Sequence, residues 1–243
     1  MRIVLLGPPG AGKGSLASLC GTRLQLAHLS TGEIFRREIA RRSALGQRVA
    51  RYVTTGRLAP DRLVGQVMAA QLSRRMLASG FVLDGFPRTE GQAEGLDREL
   101  KAHEAPLDGA VYLTSPPSLL VRRLTGRRVC VRCGANYHIR TMRPKRPNRC
   151  DRCEGRLTVR RDDQVQTITR RLRIDRQASR PLLRYYGRHQ LLYRVNGEGN
   201  IETVFARAVK LFRRLGWLNQ APGSRTPRRR PSTRPVASLR AAS

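Results

Sequence analysis

Ile3-Val4-Leu5-Leu6 runs straight into Gly7-Pro8-Pro9-Gly10-Ala11-Gly12-Lys13-Gly14-Ser15, and Leu16-Ala17-Ser18-Leu19 then reads as a helix. A short apolar strand, a glycine-rich loop of spacing G-x-x-x-x-G-K and a helix start follow one another without a gap. The glycines let the backbone curl so that its N–H groups point inward at an anion. Lys13 adds a mobile positive charge for β- and γ-phosphates, and the helix N-terminus adds its partial charge. Gly14 stands where the general pattern has Ser or Thr, with the hydroxyl one step later at Ser15. A chance glycine run does not account for these signals in this order, so the segment reads as a nucleotide phosphate site.

Outward from the loop, strands and helices alternate. The first helix is predicted to reach about Leu24, with a second strand at 26–29. Ser30-Thr31-Gly32-Glu33 looks like a capping box, Ser30 lying three residues before the Glu33 carboxylate. The helical pattern continues to about Ala40, a further helix covers roughly 45–55, and Gly56 breaks it. After Pro60-Asp61, one helix is predicted over 63–77. Phe81-Val82-Leu83-Asp84 is a buried strand ending in a carboxylate, followed by Gly85-Phe86-Pro87-Arg88-Thr89. A carboxylate at the C-terminal edge of a strand beside a phosphate loop suits a magnesium–water shell. A helix N-cap Asp is the plainer alternative. A strand at 110–113, a helix at 117–124, a last strand near 191–195 and a closing helix at 201–215 complete the pattern. It predicts an α/β doubly wound parallel sheet.

Composition sets wider bounds. A chain of 243 residues buries a sizeable core and supports one domain with inserted lobes. No stretch approaches the length needed to span a bilayer, so no membrane partner is expected. The first apolar run ends after four residues in the phosphate loop, unlike a signal peptide, and a cytoplasmic location is expected. The formal charge of +31 is nearly all arginine, since the only lysines are Lys13, Lys101, Lys145 and Lys210. Such a surface suits either nucleic acid or small anions, and the even spread of arginines favours neither. The stretch 219–243 is rich in Pro, Ser and Arg and reads as a disordered basic tail, a solvated extension ahead of a nucleic-acid contact.

Cys130-x-x-Cys133 and Cys150-x-x-Cys153 are separated by sixteen residues. Paired C-x-x-C knuckles at this interval give four thiolates that can converge on one tetrahedral zinc. Two disulfides compete with that reading, but nothing suggests export. Four thiolates leave no open position, so the metal is structural rather than catalytic. Cys20 stands alone on a predicted helix as a small core residue, and His28, His103, His138 and His189 show no metal spacing. Arginines rim the segment at Arg127-Arg128 and Arg160-Arg161, which makes it look like a lid over phosphates.

Taken together, the chain closely resembles bacterial adenylate kinases of the long-lid, zinc-bearing type. The matching stretches are GPPGAGKGS at 7–15, STGEIFR at 30–36, LDGFPRT at 83–89, LTGRRVCVRCG at 124–134 and RRDDQ at 160–164, in family order over roughly 1–218. The resemblance also explains Gly14, because the family loop ends G-K-G-[ST]. It implies a P-loop kinase core with a five-stranded parallel sheet (1–29, 60–125 and 164–218), an AMP-binding lobe at 30–59 and a zinc-binding lid at 126–163. The implied reaction is reversible, magnesium-dependent transfer of the terminal phosphoryl group from ATP to AMP, giving two ADP, in purine nucleotide homeostasis and salvage.

Position by position, the resemblance assigns Gly10, Ala11, Gly12, Lys13, Gly14 and Ser15 to the ATP phosphates. It places Asn136, Tyr137 and the backbone of Gly199 along the ATP adenosine. Thr31, Arg36, Gly85, Phe86, Pro87, Arg88 and Gln92 fall at the AMP site, with Arg57, Leu58 and Ala59 near the adenine. Arg123, Arg127, Arg160 and Arg171 match arginines that converge on the phosphates. Arg160 and Arg171 also reach AMP. Asp84 would orient the magnesium shell, and Asp162 with Asp163 would sit at the lid hinge. Ser15 keeps the hydroxyl of the usual Thr, and Glu33 replaces a frequent Asp. Thr141 stands where an aromatic packing residue is often seen, which leaves donor-nucleotide preference less fixed than the chemistry. A monomer is expected, with no requirement for nucleic acid. Two other functions stay in view: a UMP or CMP kinase, disfavoured by the cysteine-bearing lid, and a nucleic-acid-binding protein on a degraded kinase scaffold, disfavoured by the intact phosphate loop, Asp84 and arginines.

Overall fold

The computed structural model describes residues 1–218, so the expected basic tail lies outside the described residues. The chain opens with β1 (Arg2–Leu6), α1 (Lys13–Leu24), β2 (Ala27–Ser30), α2 (Thr31–Ala40) and α3 (Ala44–Thr55). It continues through α4 (Asp61–Gln71), α5 (Arg74–Ser79), β3 (Phe81–Asp84), α6 (Glu90–Ala102), β4 (Gly109–Thr114) and α7 (Pro117–Thr125). Three short strands follow, β5 (Arg127–Cys130), β6 (Asn136–His138) and β7 (Leu157–Thr158), then a single 3-10 turn at Arg161–Asp163. The chain returns through α8 (Val165–Arg188), β8 (Leu192–Asn196) and α9 (Ile201–Arg214).

Five strands make one parallel sheet in the order β2-β3-β1-β4-β8. Strand side chains alternate between faces, and both faces are covered. Val4 and Leu6 of β1 join Phe81, Leu83 and Ala110 against α2, α6 and Tyr186 of α8. Ile3 and Leu5 point the other way and join Val82, Val111 and Leu113 against Leu16 and Cys20 of α1 and Phe212 of α9. Cys20 is thus a core residue, and burial pushes its thiol up to about 12. β1 lies between β3 and β4, where the order of connections reverses, so a crevice opens at the carboxyl ends of these three strands. β5, β6 and β7 form a separate antiparallel sheet in the order β6-β5-β7.

Helix starts follow the local chemistry. Ser30 Oγ accepts from the Glu33 N–H at 3.4 Å, Ser43 Oγ from Gly46 N–H at 3.0 Å and Thr89 Oγ1 from Gln92 N–H at 3.2 Å. One expectation is corrected: the helix read over 63–77 is two, because Ser73 starts a new helix by accepting from Met76 N–H at 3.4 Å. Helices α6 and α8 had no place in the sequence reading. In both, charged residues dilute the apolar stripe, and only packing shows which face is buried. Among the described residues, no helix is long and apolar enough to cross a membrane.

Candidate active site

The loop after β1 takes a course that only glycine permits at two points. Gly12 ends the loop at φ 97°, capping α1, and Gly10 at φ 86° passes within 3.0 Å of Leu120 O at the position a Cβ would occupy. Gly14 answers to space instead. A Cβ there would come 3.1 Å from Asp84 Oδ2, so the small residue lets the loop and the β3 carboxylate stand side by side. Asp84 caps no helix, since Thr89 caps α6, and its carboxylate accepts from Ser30 Oγ at 3.4 Å. Lys13 Nζ donates to Gly7 O at 2.6 Å and Pro8 O at 3.0 Å, which draws the ammonium across the loop. Burial lowers its pKa, and the nearby Asp84 and Asp175 work in the opposite direction.

A cavity of about 750 Å³ lies in the crevice. It is lined by Gly10 to Ser15, Asp84, Asn136, Tyr137, Thr141 and Gly199, together with Lys13, Arg36, Arg88, Arg123, Arg127, Arg160 and Arg171. A second cavity, of about 80 Å³, adjoins it and is lined by Thr31, Arg36, Arg57, Leu58, Ala59, Gly85, Arg88 and Gln92. Pro87 lines the larger space. Phe86 is the exception among the expected site residues: it is 3% exposed, packs in the core and lines neither cavity. Its side chain packs behind the loop that carries Gly85 and Arg88.

The arginines are held by specific partners. Arg123 Nη2 donates to Gly197 O and Gly199 O at 2.9 Å each, which ties α7 to the loop after β8. Arg88 Nε donates to Gly85 O at 2.9 Å, and Thr31 Oγ1 donates to the same oxygen at 2.8 Å. Arg127 makes a two-point contact with Asp163, at 2.7 and 2.5 Å. Arg171 Nη1 reaches Asp163 Oδ1 at 2.9 Å and Asp162 Oδ2 at 3.1 Å. Arg160 Nη2 donates to Asn136 Oδ1 at 2.7 Å, but its Nε is buried without a partner. An orphaned buried donor in a cavity of guanidinium groups is what an anion site leaves in the bare protein.

Crowded positive charge shows in the ionisation. Burial, then Arg36 and Arg127, bring Arg160 down to about 9. Arg36 and Arg171 are also lowered, in each case chiefly by burial. Burial opposes ionisation of Asp162, yet Arg171, Arg36, Arg127 and Arg160 outweigh it and hold the carboxyl below its usual range. Phosphate oxygens entering the cavity would relieve the same repulsion.

Two site residues carried no usable sequence signal. Asp61, the first residue of α4, accepts from Gln92 Nε2 at 2.8 Å and Thr89 Oγ1 at 2.6 Å, and Gln92 Oε1 in turn accepts from Arg88 N–H at 2.8 Å. An acid at a helix start is too common to single out. Asp175 of α8 lines the large cavity, where burial raises its pKa against the pull of Lys13, Arg88 and Arg171. It stands four residues after Arg171, one helical turn along the same face.

The four expected cysteines come together, with all four Sγ atoms within 4.8 Å of one another. Cys130 and Cys153 sulfurs are 3.4 Å apart and those of Cys133 and Cys150 are 3.5 Å apart, far beyond a disulfide bond of about 2.05 Å. A tetrahedral ion with Zn–S bonds of about 2.3 Å has sulfurs about 3.8 Å apart, so the donor set fits zinc in number, type and spacing. Its thiols do not ionise alike. Desolvation and the other three sulfurs push Cys133 up to about 12, while hydrogen bonds from Tyr137 and the Arg152 N–H overcome desolvation and bring Cys150 to about 6. Only a cation between them makes four thiolates compatible. Tyr137 Oη contacts Cys150 Sγ at 3.4 Å and accepts from Asp151 N–H at 2.7 Å, so this cavity-lining residue is anchored in the cysteine cluster. His138 stays outside the cluster, its Nδ1 accepting from Arg140 and Thr141 N–H groups at 3.1 and 3.2 Å.

Comparison with known proteins agrees with this geometry. A family profile described as adenylate kinase matches residues 5–191. The chain is 41% identical over 214 residues to an adenylate kinase of Clostridium botulinum (strain 657), covering 88% of this chain and 99% of that one. It is 41% identical over 205 residues to an adenylate kinase of Clostridium tetani, covering 84% and 95%. It is 40% identical over 208 residues to one of Clostridium kluyveri, covering 86% and 96%.

Proposed function

Since the chain belongs to the adenylate kinase family and is a nucleoside-monophosphate kinase, we propose that it transfers the terminal phosphoryl group of ATP to AMP, reversibly, with the residues gathered in the two cavities. The observation that supports this reading most is the convergence of Lys13, Arg36, Arg88, Arg123, Arg127, Arg160 and Arg171 on one cavity. Phosphoryl transfer asks the protein to hold two anionic groups in line, exclude water and balance charge on the migrating group. No general base is required, because an AMP phosphate is already an anionic nucleophile.

The large cavity takes the ATP. N–H groups of the loop from Gly10 to Ser15 and the Lys13 ammonium hold its phosphates, and Asn136, Tyr137 and the Gly199 backbone border the adenosine. The small cavity takes the AMP, with Thr31, Gly85 and Gln92 around it and the backbone of 57–59 at the base. Arg36 and Arg88 hold the AMP phosphate from one side, and Arg123, Arg127, Arg160 and Arg171 close on the transferred group from the other. A magnesium ion carried with ATP would neutralise β- and γ-oxygens, and the Asp84 carboxylate and Ser15 hydroxyl are the groups placed to hold its water shell. Asp61 keeps Gln92 and hence the Arg88 backbone in position.

The core, 1–29, 60–125 and 164–218, carries two lobes in this reading, 30–59 and 126–163. Closure of 126–163 brings Arg127 and Arg160 onto the phosphates and shuts out water that would hydrolyse ATP. Asp162 and Asp163 at its base hold Arg127 and Arg171 until phosphate competes for them. Zinc on Cys130, Cys133, Cys150 and Cys153 makes that lobe rigid, so closing costs little internal ordering. The enzyme works as a cytoplasmic monomer, and the Thr141 side chain leaves the donor base loosely specified. A coupled assay with AMP, UMP, CMP and GMP as acceptors tests the assignment. AMP should be preferred by orders of magnitude, and comparable turnover with a pyrimidine acceptor would overturn it.

A further inference from the structure

Helix α8 turns one face to the nucleotide cavity and a different one to solvent. Arg171, Asp175, Ala178, Ser179 and Leu182 line the cavity. From residue 170 onward the exposed positions are Arg170, Arg173, Arg176, Gln177, Arg180, Arg184, Gly187 and Arg188. Six of those eight are arginine and none is acidic. At about 100° per residue, the six arginines fall within a sector of about 120°, opposite the cavity-lining residues. The stripe runs about 27 Å along the helix.

Arg188 pairs with Glu90 at 2.6 Å. Among the described residues no carboxylate lies within ion-pair distance of the other five. Like charges three and four residues apart destabilise a helix, and here they succeed one another for five turns. The folding of the chain gains nothing from that arrangement, nor does the cavity, which lies on the far side.

We infer that the arginine stripe on α8 is a docking surface for the sugar–phosphate backbone of duplex DNA, separate from the nucleotide site. Six positive charges spread over about 27 Å on one helix face complement the dense phosphate charge of a duplex, one negative charge per about 1.7 Å of helix axis with both strands counted. The stripe holds no aromatic ring on which unpaired bases could stack, which disfavours single strands. It holds no apolar anchor of the kind a protein interface is built around. A bilayer would need the helix's apolar face, and that face (Ile168, Leu182, Tyr185 and Tyr186) is buried in the protein. Binding rests on charge alone and does not read sequence.

The test uses the full chain and a fluorescent duplex DNA of arbitrary sequence, about 20 bp, titrated by anisotropy at several salt concentrations. One variant carries Arg170→Gln, Arg173→Gln, Arg176→Gln, Arg180→Gln and Arg184→Gln. A charge-matched control carries Arg48→Gln, Arg62→Gln, Arg74→Gln, Arg98→Gln and Arg213→Gln, all exposed and dispersed. The stripe variant should reduce the slope of log K against log salt by about 4.5, at about 0.9 per lost phosphate contact, and the control by less than about 1. Phosphoryl transfer to AMP should be unchanged in the stripe variant, which also reports that it folds. A reduced set, Arg173→Gln, Arg176→Gln and Arg180→Gln, should give a slope loss of about 3 and serves if the five-fold variant is unstable. Equal loss in stripe and control variants would overturn the inference, as diffuse charge. So would a stripe variant that loses binding to phosphatidylserine vesicles while keeping binding to the duplex.

Discussion

Among the described residues the central sheet buries a cluster of 22 on one face and 18 on the other, whereas the cysteine-bearing segment 126–163 gathers a cluster of four, two of them cysteines. The same segment leaves Val131, Ile139, Met142 and Val159 exposed. The sheet region is held by the removal of apolar surface from water. The cysteine segment lacks that resource and depends on a point constraint, four sulfurs meeting at one place. A region stabilised by its core must keep its shape, and one fixed at a single point moves as a rigid piece without reorganising anything beneath it. That contrast is what the proposed closure of 126–163 over the loop 7–15 requires.

Removing the metal probes the difference most strongly, since structural zinc contributes on the order of 10 kcal/mol in small metal-held domains. Chelation should abolish amide-exchange protection across 126–163 while β1, β3 and β4 keep theirs, and should lower the stability of the segment more than the chemical step. An apo-protein with the melting temperature and exchange pattern of the metal-loaded one would end the proposal.

Phe212→Ala, on the fully buried face of α9, should act in the reverse sense, costing about 3–5 kcal/mol of global stability. Calorimetry would detect it as a lower melting point of the core, with exchange protection around the cysteine cluster retained. Arg88→Ala removes a charge from the cavity without touching either core. Turnover should fall roughly 10²–10³-fold, by analogy with the loss of one donor to a developing anion, at unchanged melting temperature. An unaltered kcat would displace Arg88 from the reaction.

The smallest effect concerns the junction of the two regions. The carboxyl of Asp162 has a lowered pKa in the folded chain. The stability it contributes is therefore complete above the unfolded value of about 3.9 and is lost as pH falls through the lower, folded value. Asp162→Asn should lower stability at neutral pH, where the full contribution is lost, and flatten the acid limb below about pH 4, so that the two proteins converge in acid. Equal acid sensitivity in both proteins would mean that Asp162 is not the group responsible.

Much of this was legible in order along the chain. Ile3 to Ser15 announces a strand, a phosphate loop and a helix because each step has a short-range physical cause, from apolar run to glycine freedom to helix polarity. The cysteine spacing likewise encodes its own geometry, since sixteen intervening residues return the second pair to the first. The break at Ser73 is hidden in the sequence because an apolar pattern running past it resembles one helix. Asp61 and Asp175 had no signal at all: each matters for what lies beside it, and those neighbours (Gln92 for the first, Lys13 and Arg88 for the second) are distant in sequence. Phe86 belongs to a site motif, yet only packing directs its ring into the core.

Local order of apolar, glycine and cysteine residues thus determines which elements form, how they alternate and where an anion and a metal can sit. The tertiary structure decided which of the basic residues within 1–218 converge and which stay in solvent. Charge at a sequence position has no direction until the helix or strand bearing it is packed. On α8, Arg171 lines the large cavity and Arg173, two residues on, faces water, because a helix turns about 200° in two residues.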